Sequence, residues 1–376
     1  MKPPLECYAV CPPGVEQLTA RELAALRIRH GRVDRGGVAF RATNRQLYLA
    51  NLWLRTATRV LVRVAAFGAS SFGALEQRAE EIAWPTWLGA DGVAGFRVTA
   101  TASKLYHTDA IAERLARAAD AATGVPAPRR GQPAGRPEPT QLFVVRARND
   151  RFTVSVDASG VPLYKRGWRE EVAKAPLRES LAAALLLAVG WDGSGPLVDP
   201  FCGSGTIPIE AALLGRNLPP GYQRDFAFFD WPSFEPGTWA SVIGAAAEAE
   251  RPLEVAILGA DRDAGAVDAA RANAGRAGAA DEVEVRHAAI SDLAPPEGGP
   301  GWLVTNPPYG ERLAASGDLR NLYARFGTVA RERFAGWQVA VLASDRRLVA
   351  HSGLRLESVL QADNGGIPVE LLVARA

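Results

Sequence analysis

Two stretches of this chain carry residue types whose spacing can do chemistry: Asp199-Pro200-Phe201-Cys202-Gly203-Ser204-Gly205-Thr206 and, about a hundred residues later, Asn306-Pro307-Pro308-Tyr309. In the second, Asn306 offers an amide oxygen and nitrogen, the Pro307 carbonyl is an acceptor, and Tyr309 offers a ring face. Proline fixes φ and has no N–H, so Pro307-Pro308 must end the apolar run Trp302 to Thr305 as a strand and hold the backbone extended. Together these groups can grip a planar amine. An isolated Asn-Pro-Pro is ordinarily only a turn, and the first stretch is what argues for more. There, Leu197-Val198 leads through Gly203 and Gly205 into a helical run from Ile207 to Leu214. A strand, a glycine-rich turn and a helix make a nucleotide-type pocket, in which glycines admit a ligand close to the backbone and helix N–H groups face it.

The elements that must position these stretches alternate. Strands are expected to end at Asp199 and to run from Val255 to Leu258, through Val283 to Val285, from Trp302 to Thr305 and from Val339 to Leu342, with helices between them. That is the pattern of a doubly wound parallel sheet, in which ligands bind beyond the C-terminal strand ends, where both stretches fall. Leu354 to Leu360 and Pro368 to Val373, joined through Asn364-Gly365-Gly366, read as a closing antiparallel hairpin at the sheet edge. An insert between the first two strands holds Phe226, Phe228, Phe229, Trp231, Phe234 and Trp239. These aromatics can stack on an extruded base, but the core of a small subdomain is the favoured reading.

The front of the chain reads as mixed α+β. Leu5 to Val10 is a strand, Gly14 to Leu26 a helix, Val38 to Phe40 a strand, Thr43 to Thr58 a helix and Val60 to Ala65 a strand. Leu75 to Ile82 and Thr108 to Ala122 read as helices around a strand from Phe96 to Ala100, and Leu142 to Arg148 with Phe152 to Val156 as a hairpin. Between them Gly124 to Thr140, with five prolines and three arginines, reads as a flexible basic loop.

The 376 residues suffice for two or three domains, and 48% hydrophobic content for real cores. No apolar run reaches the roughly 18 residues of a membrane span, and the N-terminus lacks the plan of a signal peptide, so a cytoplasmic location is expected. Cys7 and Cys11 have no second Cys or His pair to complete a zinc site, so no metal is expected. The net charge of +2 hides an asymmetry: residues 1–168 hold 24 basic and 14 acidic side chains, residues 169–376 hold 19 and 27. The front half therefore suits a polyanion, for which nucleic acid is the obvious candidate.

The Asp199 to Thr206 stretch resembles the S-adenosyl-L-methionine (AdoMet) motif of Rossmann-fold methyltransferases, and Asn306 to Tyr309 the catalytic motif of their amino-methylating branch. The run Ala50-Asn51-Leu52-Trp53-Leu54-Arg55-Thr56 is similar to the N-terminal ferredoxin-like region of THUMP-containing RNA methyltransferases. The segments from Asn217 to Phe226 and from Leu163 to Arg169 also resemble that family, closest to its 23S rRNA guanine-N2 branch. The resemblance implies an α/β fold with an N-terminal α+β ferredoxin-like subdomain over 1–60, a THUMP RNA-binding domain over 61–162 and a doubly wound, seven-stranded Rossmann-fold methyltransferase domain over 163–376. It implies AdoMet as cofactor and methylation of the exocyclic N2 amine of a guanine in 23S rRNA. Two alternatives stay open: a tRNA guanine-N2 methyltransferase, and a non-catalytic RNA-binding or assembly factor that keeps the fold.

Roles follow from that frame. Asn306, the Pro307 carbonyl and Tyr309 would handle the target base. Asp199, Phe201, Gly203, Gly205, Thr206 and Asn306 would line the cofactor pocket. Asp261, after the second strand, suits the ribose hydroxyls, and Asp292 the adenine amine. Asp263 suits capping the next helix. A helix from Pro176 to Val189 would cover the pocket, with Glu179 or Ser180 toward the methionine end. Lys104, Tyr106 and His107 would contact RNA, with an ordinary solvated loop as the alternative, and Lys165, Arg166 and Arg169 in the segment joining the halves would face RNA, with interdomain salt bridges as the alternative. Cys202 lies in the cofactor turn rather than beside Asn306, so it reads as a packed residue and not as a nucleophile.

Overall fold

Two seven-stranded sheets organise the chain in a computed structural model that describes residues 3–89, 92–124, 140–170, 177–308 and 319–375. The first comprises β1 (Leu5–Val10), β2 (His30–Asp34), β3 (Gly37–Ala42), β4 (Arg59–Gly68), β5 (Ala94–Thr101), β6 (Gln141–Arg148) and β7 (Arg151–Asp157), in the order β2-β3-β1-β4-β7-β6-β5. Only β5 and β6 pair in parallel. Four helices serve this sheet: α1 (Glu16–Ala25), α2 (Asn44–Trp53), α3 (Phe72–Glu80) and α4 (Thr108–Thr123). Thr43 fixes the start of α2 through a capping box, its hydroxyl accepting from the Gln46 N–H while the Gln46 side chain accepts from the Thr43 N–H.

Alternation along the strands sends one set of residues inward. Cys7, Ala9, Val60, Val62, Phe143, Val145, Ala147 and Val154 share one core with Leu23, Leu47, Leu75 and Leu115 of the four helices. The opposite face carries no helix among the described residues. β4 pairs with β1 on one side and β7 on the other, so the expected ferredoxin-like and RNA-binding units share one continuous sheet. β2 escapes a pattern search because His30-Gly31-Arg32-Val33-Asp34 is an edge strand with little apolar alternation.

The second sheet comprises β8 (Leu197–Asp199), β9 (Ile257–Asp261), β10 (Val283–His287), β11 (Trp302–Thr305), β12 (Gln338–Ala343), β13 (Glu357–Asn364) and β14 (Ile367–Arg375), in the order β10-β9-β8-β11-β12-β14-β13. The first five strands in that order run parallel, and β14 is antiparallel to both β12 and β13. This is the expected doubly wound sheet with its closing hairpin at the edge. Its helices are α5 (Glu179–Ala188), α6 (Thr206–Gly215), α8 (Ala264–Arg276) and α9 (Leu319–Arg333), while α7 (Pro236–Glu248) packs elsewhere. α5, α6 and α8 fill one core with the sheet and α9 another, so both faces are covered. The helix expected from Pro176 begins at Glu179, and Pro176 itself lies outside the described residues.

The aromatic insert corrects the subdomain reading. Phe226, Phe228, Trp231 and α7 join the core of the first sheet, with Phe228 stacked 4.6 Å from Tyr48 of α2. In return Val15 and Leu18 of the α1 region enter the core of the second sheet. Buried polar groups stitch the seam. The Arg55 guanidinium donates to the carbonyls of Leu213 and Leu218, its backbone carbonyl accepts from Arg166, and Gly221 N–H donates to the Leu52 carbonyl. The motif from Ala50 to Thr56 is therefore where the two halves lock together.

Candidate functional site

Register explains why the two chemical stretches meet. β8 and β11 are parallel neighbours, with Leu197 opposite Trp302 and Val198 opposite Leu303, so both chains leave the sheet side by side at their C-terminal ends. There Thr305 Oγ1 donates to Asp199 Oδ1 at 2.6 Å, and the same oxygen accepts from the Phe201 N–H at 3.1 Å. Burial pushes the Asp199 carboxyl up to about 7 despite those donors, and nearby Asp261 adds to the rise. Asp199 thus ties the glycine-rich turn to the strand that leads into Asn306. Thr305 was missed from sequence alone; a lone hydroxyl at the end of an otherwise apolar strand is the signal that marks it.

The turn itself is shaped for a ligand. Gly203 has φ +52° and Gly205 φ +85°, which glycine adopts without cost. A Cβ on Gly203 would meet nothing within 4 Å, so open space lies over the turn, whereas one on Gly205 would press on Ala270 and Ile209 of the flanking helices at 3.1 and 3.2 Å. Asp261 Oδ2 accepts from the Gly203 N–H at 3.0 Å and its Oδ1 from the Asp263 N–H at 3.0 Å, which brings the end of β9 against the same turn. Asp263 caps α8 by accepting from Gly265 and Ala266, as expected. Asp292 lies exposed in a single helical turn after β10, accepting from Ser291 Oγ at 3.3 Å. Phe201 packs half-buried toward Phe326, ring centres 6.1 Å apart.

Two buried polar atoms here lack partners among the described residues: Asn306 Oδ1 and Ser180 Oγ. An unpaired buried oxygen costs about 1–3 kcal/mol, so both are polar groups open to a partner outside the described residues. Pro307 is buried beside Asn306, and Tyr309 lies outside the described residues. Cys202 behaves as a packed residue. Its thiol, raised well above the usual range by burial and then by Asp199, sits against Gly259, where an added Cβ would lie 3.2 Å from its sulfur.

The segment joining the halves brings a correction. Lys165 is exposed, but Arg166 is only 2% exposed and does not face outward to RNA. Its guanidinium donates to Glu210 at 3.1 Å and to the carbonyls of Leu163 and Arg55. Arg169 also turns inward. It pairs with Glu179 at 3.3 Å, donates to the Leu177 carbonyl and reaches Thr206 Oγ1 at the start of α6. The segment passes between two cores, so the side chains of Arg166 and Arg169 are buried and need fixed partners. Arg169 thereby couples the segment to the glycine-rich turn, and Glu179 is spent on that pair rather than left free. Lys104, Tyr106 and His107 are exposed on the loop before α4, the rings of Tyr106 and His107 4.2 Å apart.

No helix among the described residues is long and apolar enough to cross a membrane, and no group of three or more His, Cys, Asp or Glu side chains among them could hold a metal. A family model described as the RMKL-like methyltransferase domain matches residues 166–371, and one described as the RlmL ferredoxin-like domain matches residues 6–61. The ribosomal RNA large subunit methyltransferase K/L of Syntrophotalea carbinolica is 35% identical over 391 residues, which cover 99% of this chain and 54% of that protein. The chain spans about half the length of the K/L relatives it matches. By contrast, the Synechocystis protein slr0064, named for RNA methyltransfer, is 31% identical with 97% of this chain and 95% of the relative covered. Among solved structures, SMU.472, named as a methyltransferase and complexed with SAH, superposes with a TM-score of 0.88 at 30% identity over 100% of this chain and 99% of that one.

Proposed function

The chain belongs to the RMKL-like methyltransferase family, and on that premise we propose that it transfers a methyl group from AdoMet to the exocyclic N2 amine of a guanine in 23S rRNA. The observation that carries the reading is Asn306 Oδ1, buried without a partner one residue beyond the Thr305–Asp199 bond that anchors the cofactor turn.

The donor supplies an electrophilic methyl on a sulfonium, and what remains for the protein is positioning. A guanine amine is a poor nucleophile because its lone pair is delocalised into the ring. Asn306 Oδ1 and the Pro307 carbonyl would accept its two hydrogens, favour a pyramidal nitrogen and aim the lone pair at the methyl group, while Tyr309 would stack on the base; the carbon–nitrogen bond forms as the carbon–sulfur bond breaks, and the methylated nitrogen gives up one proton to solvent. Gly203, Gly205, Thr206 and Phe201 would cradle the donor, Asp261 would take its ribose hydroxyls, Asp292 its adenine amine and Ser180 its methionine end. Asp199 keeps the turn in register with Asn306 and lines the same pocket. A base within a duplex must first be extruded at a cost of a few kcal/mol, which the basic front half offsets by holding the backbone. The three units proposed along the chain are 1–60, 61–162 as a THUMP domain, and 163–376 for catalysis.

Labelled methyl transfer to unmodified 23S rRNA and, separately, to unmodified total tRNA, read by nucleoside mass spectrometry, tests this. N2-methylguanosine from rRNA alone is the expected result. The same product from tRNA alone would replace the substrate, another methylated base would replace the target, and donor binding without transfer to either would favour the non-catalytic factor.

A further inference from the structure

The face of the first sheet that no described helix covers carries a cluster of arginines. β6 sends Phe143, Val145 and Ala147 into the core and presents Arg146 and Arg148 on the other side. Across the sheet Val144 lies opposite Ser155 of β7, and Ser155 opposite Arg63 of β4, so these outward residues form one surface. With Arg32 and Arg35 from the β2 edge they line a concavity of about 460 Å³ that holds five arginines and a single carboxylate, Asp34. Asp34 is taken by Arg32, and Glu6 at the rim is shared by Arg63 and Arg41 at 3.2 and 3.6 Å. Arg35, Arg146 and Arg148 form no ion pair with any described residue. The Arg146 guanidinium instead lies 5.7 Å over the ring of Tyr8, a half-buried side chain on the same face.

Like charges on neighbouring outward positions of a sheet repel and lower stability. An uncovered face that keeps them unpaired is built to receive negative charge. Arg146 and Arg148, two residues apart, stand about 6.7 Å from each other along the strand, and the planar guanidinium fork matches phosphate oxygens two at a time. The hydroxyls of Tyr8, Thr153 and Ser155 beside them can take sugar and phosphate oxygens. We propose that this face is an RNA-docking surface that binds the phosphodiester backbone, distinct from the loop of Lys104, Tyr106 and His107 and far in sequence from the methyl-transfer site. The inference rests on the RNA substrate proposed above and assigns that substrate a second hold, on the sheet rather than on loops.

Two double charge reversals separate the explanations. Arg146→Glu with Arg148→Glu changes the open face, while Arg78→Glu with Arg117→Glu makes the same change of charge on α3 and α4, against the covered face, where both arginines sit in exposed ion pairs. Affinity for unmodified 23S rRNA is measured against salt for wild type and both variants, together with AdoMet affinity, methyl transfer at saturating RNA, and binding of poly-glutamate. The open-face variant should bind rRNA about tenfold or more weakly, with a salt slope shallower by about 1.4 to 1.8, as two lost phosphate contacts require. The helix-face variant should stay within about twofold, AdoMet affinity should hold in both, and Arg146→Lys with Arg148→Lys should restore the slope because it restores the charge. Equal losses in both reversals, or none in the first, overturn the proposal. So does tighter binding of poly-glutamate than of rRNA, which would make the face a protein-docking surface. Failure of the methyl-transfer reading looks different: wild type would bind RNA through this face and transfer nothing.

Discussion

The two sheets have the same number of strands and opposite relations to their ligands. The second is covered on both faces, so only its strand ends are open, and the glycine-rich turn, Asp261 and Asn306 all sit there. The first is covered on one face and leaves the other free for Arg63, Arg146 and Arg148. Parallel strands force the first outcome, because each crossover lays a helix on a face and gathers all C-terminal ends on one side. A largely antiparallel sheet has no such end and can work with its surface instead. On the two proposals above, chemistry needing a few fixed atoms is placed at strand ends, and recognition of a repeating backbone on a face.

The sharpest way to break the division is through the exchange of core residues. Phe228 is encoded within the catalytic half, yet its ring is fully buried between Tyr48 and Phe226 in the other core. Phe228→Ala should cost about 3–5 kcal/mol, read as a lower urea midpoint. Amide exchange should accelerate in β4 and β7 and leave β8, β9 and β11 protected. Loss of protection in the second sheet instead would mean that the halves are one cooperative core and that the contrast between them is only geometric.

Next in size is Asn306→Ala. Removing an acceptor aimed at the reacting amine should lower kcat by about 10²- to 10³-fold, with AdoMet affinity changed by no more than a few-fold. Because Asn306 Oδ1 is buried without a described partner, the same change should leave stability unaltered or raise it. A large drop in stability with kcat preserved would make Asn306 a structural residue of the strand end. Asp261→Ala should act on the donor alone. Hydrogen bonds to charged groups are worth about 1.5–3 kcal/mol, so AdoMet affinity should fall by roughly 10- to 100-fold by calorimetry. Unchanged affinity would assign the ribose to another partner and leave Asp261 as a brace for Gly203.

How much of this was legible in the sequence differs between the two sheets for the same physical reason. Strands of the second sheet read as apolar runs, and Trp302 to Thr305 falls where β11 does. The strand–turn–helix at Asp199 and the cap at Asp263 are local patterns, and local patterns survive in one dimension. What could not be read depends on contacts distant in sequence. Phe226, Phe228 and Trp231 look like a subdomain core until α2 is seen beneath them, 187 residues away where Tyr48 Oη accepts from the Glu235 N–H. Arg166 and Arg169 look like RNA ligands because a basic, aromatic run is the usual signature of such a surface. Only the fold shows Glu210, Glu179 and Thr206 waiting inside. The arginines of the open face were hidden too, since Arg32, Arg63 and Arg146 come together only through strand order.

The smallest expected effect tests whether the loop before α4 and the open face act on one RNA. Tyr106 is 66% exposed, so Tyr106→Ala should leave stability within about 0.5 kcal/mol. If its ring stacks on a base, the loss should be about 1 kcal/mol, at the low end for an aromatic contact, or roughly a fivefold weaker rRNA affinity with the salt slope unchanged. Charge reversal at Arg146 and Arg148 should do the opposite and flatten the slope. Combined in one chain, the changes should add when both sites hold the same RNA independently. A combined variant no weaker than the open-face variant alone would mean that Tyr106 engages RNA only after the sheet has captured it, and the loop would then be a reader placed by the face rather than a second anchor.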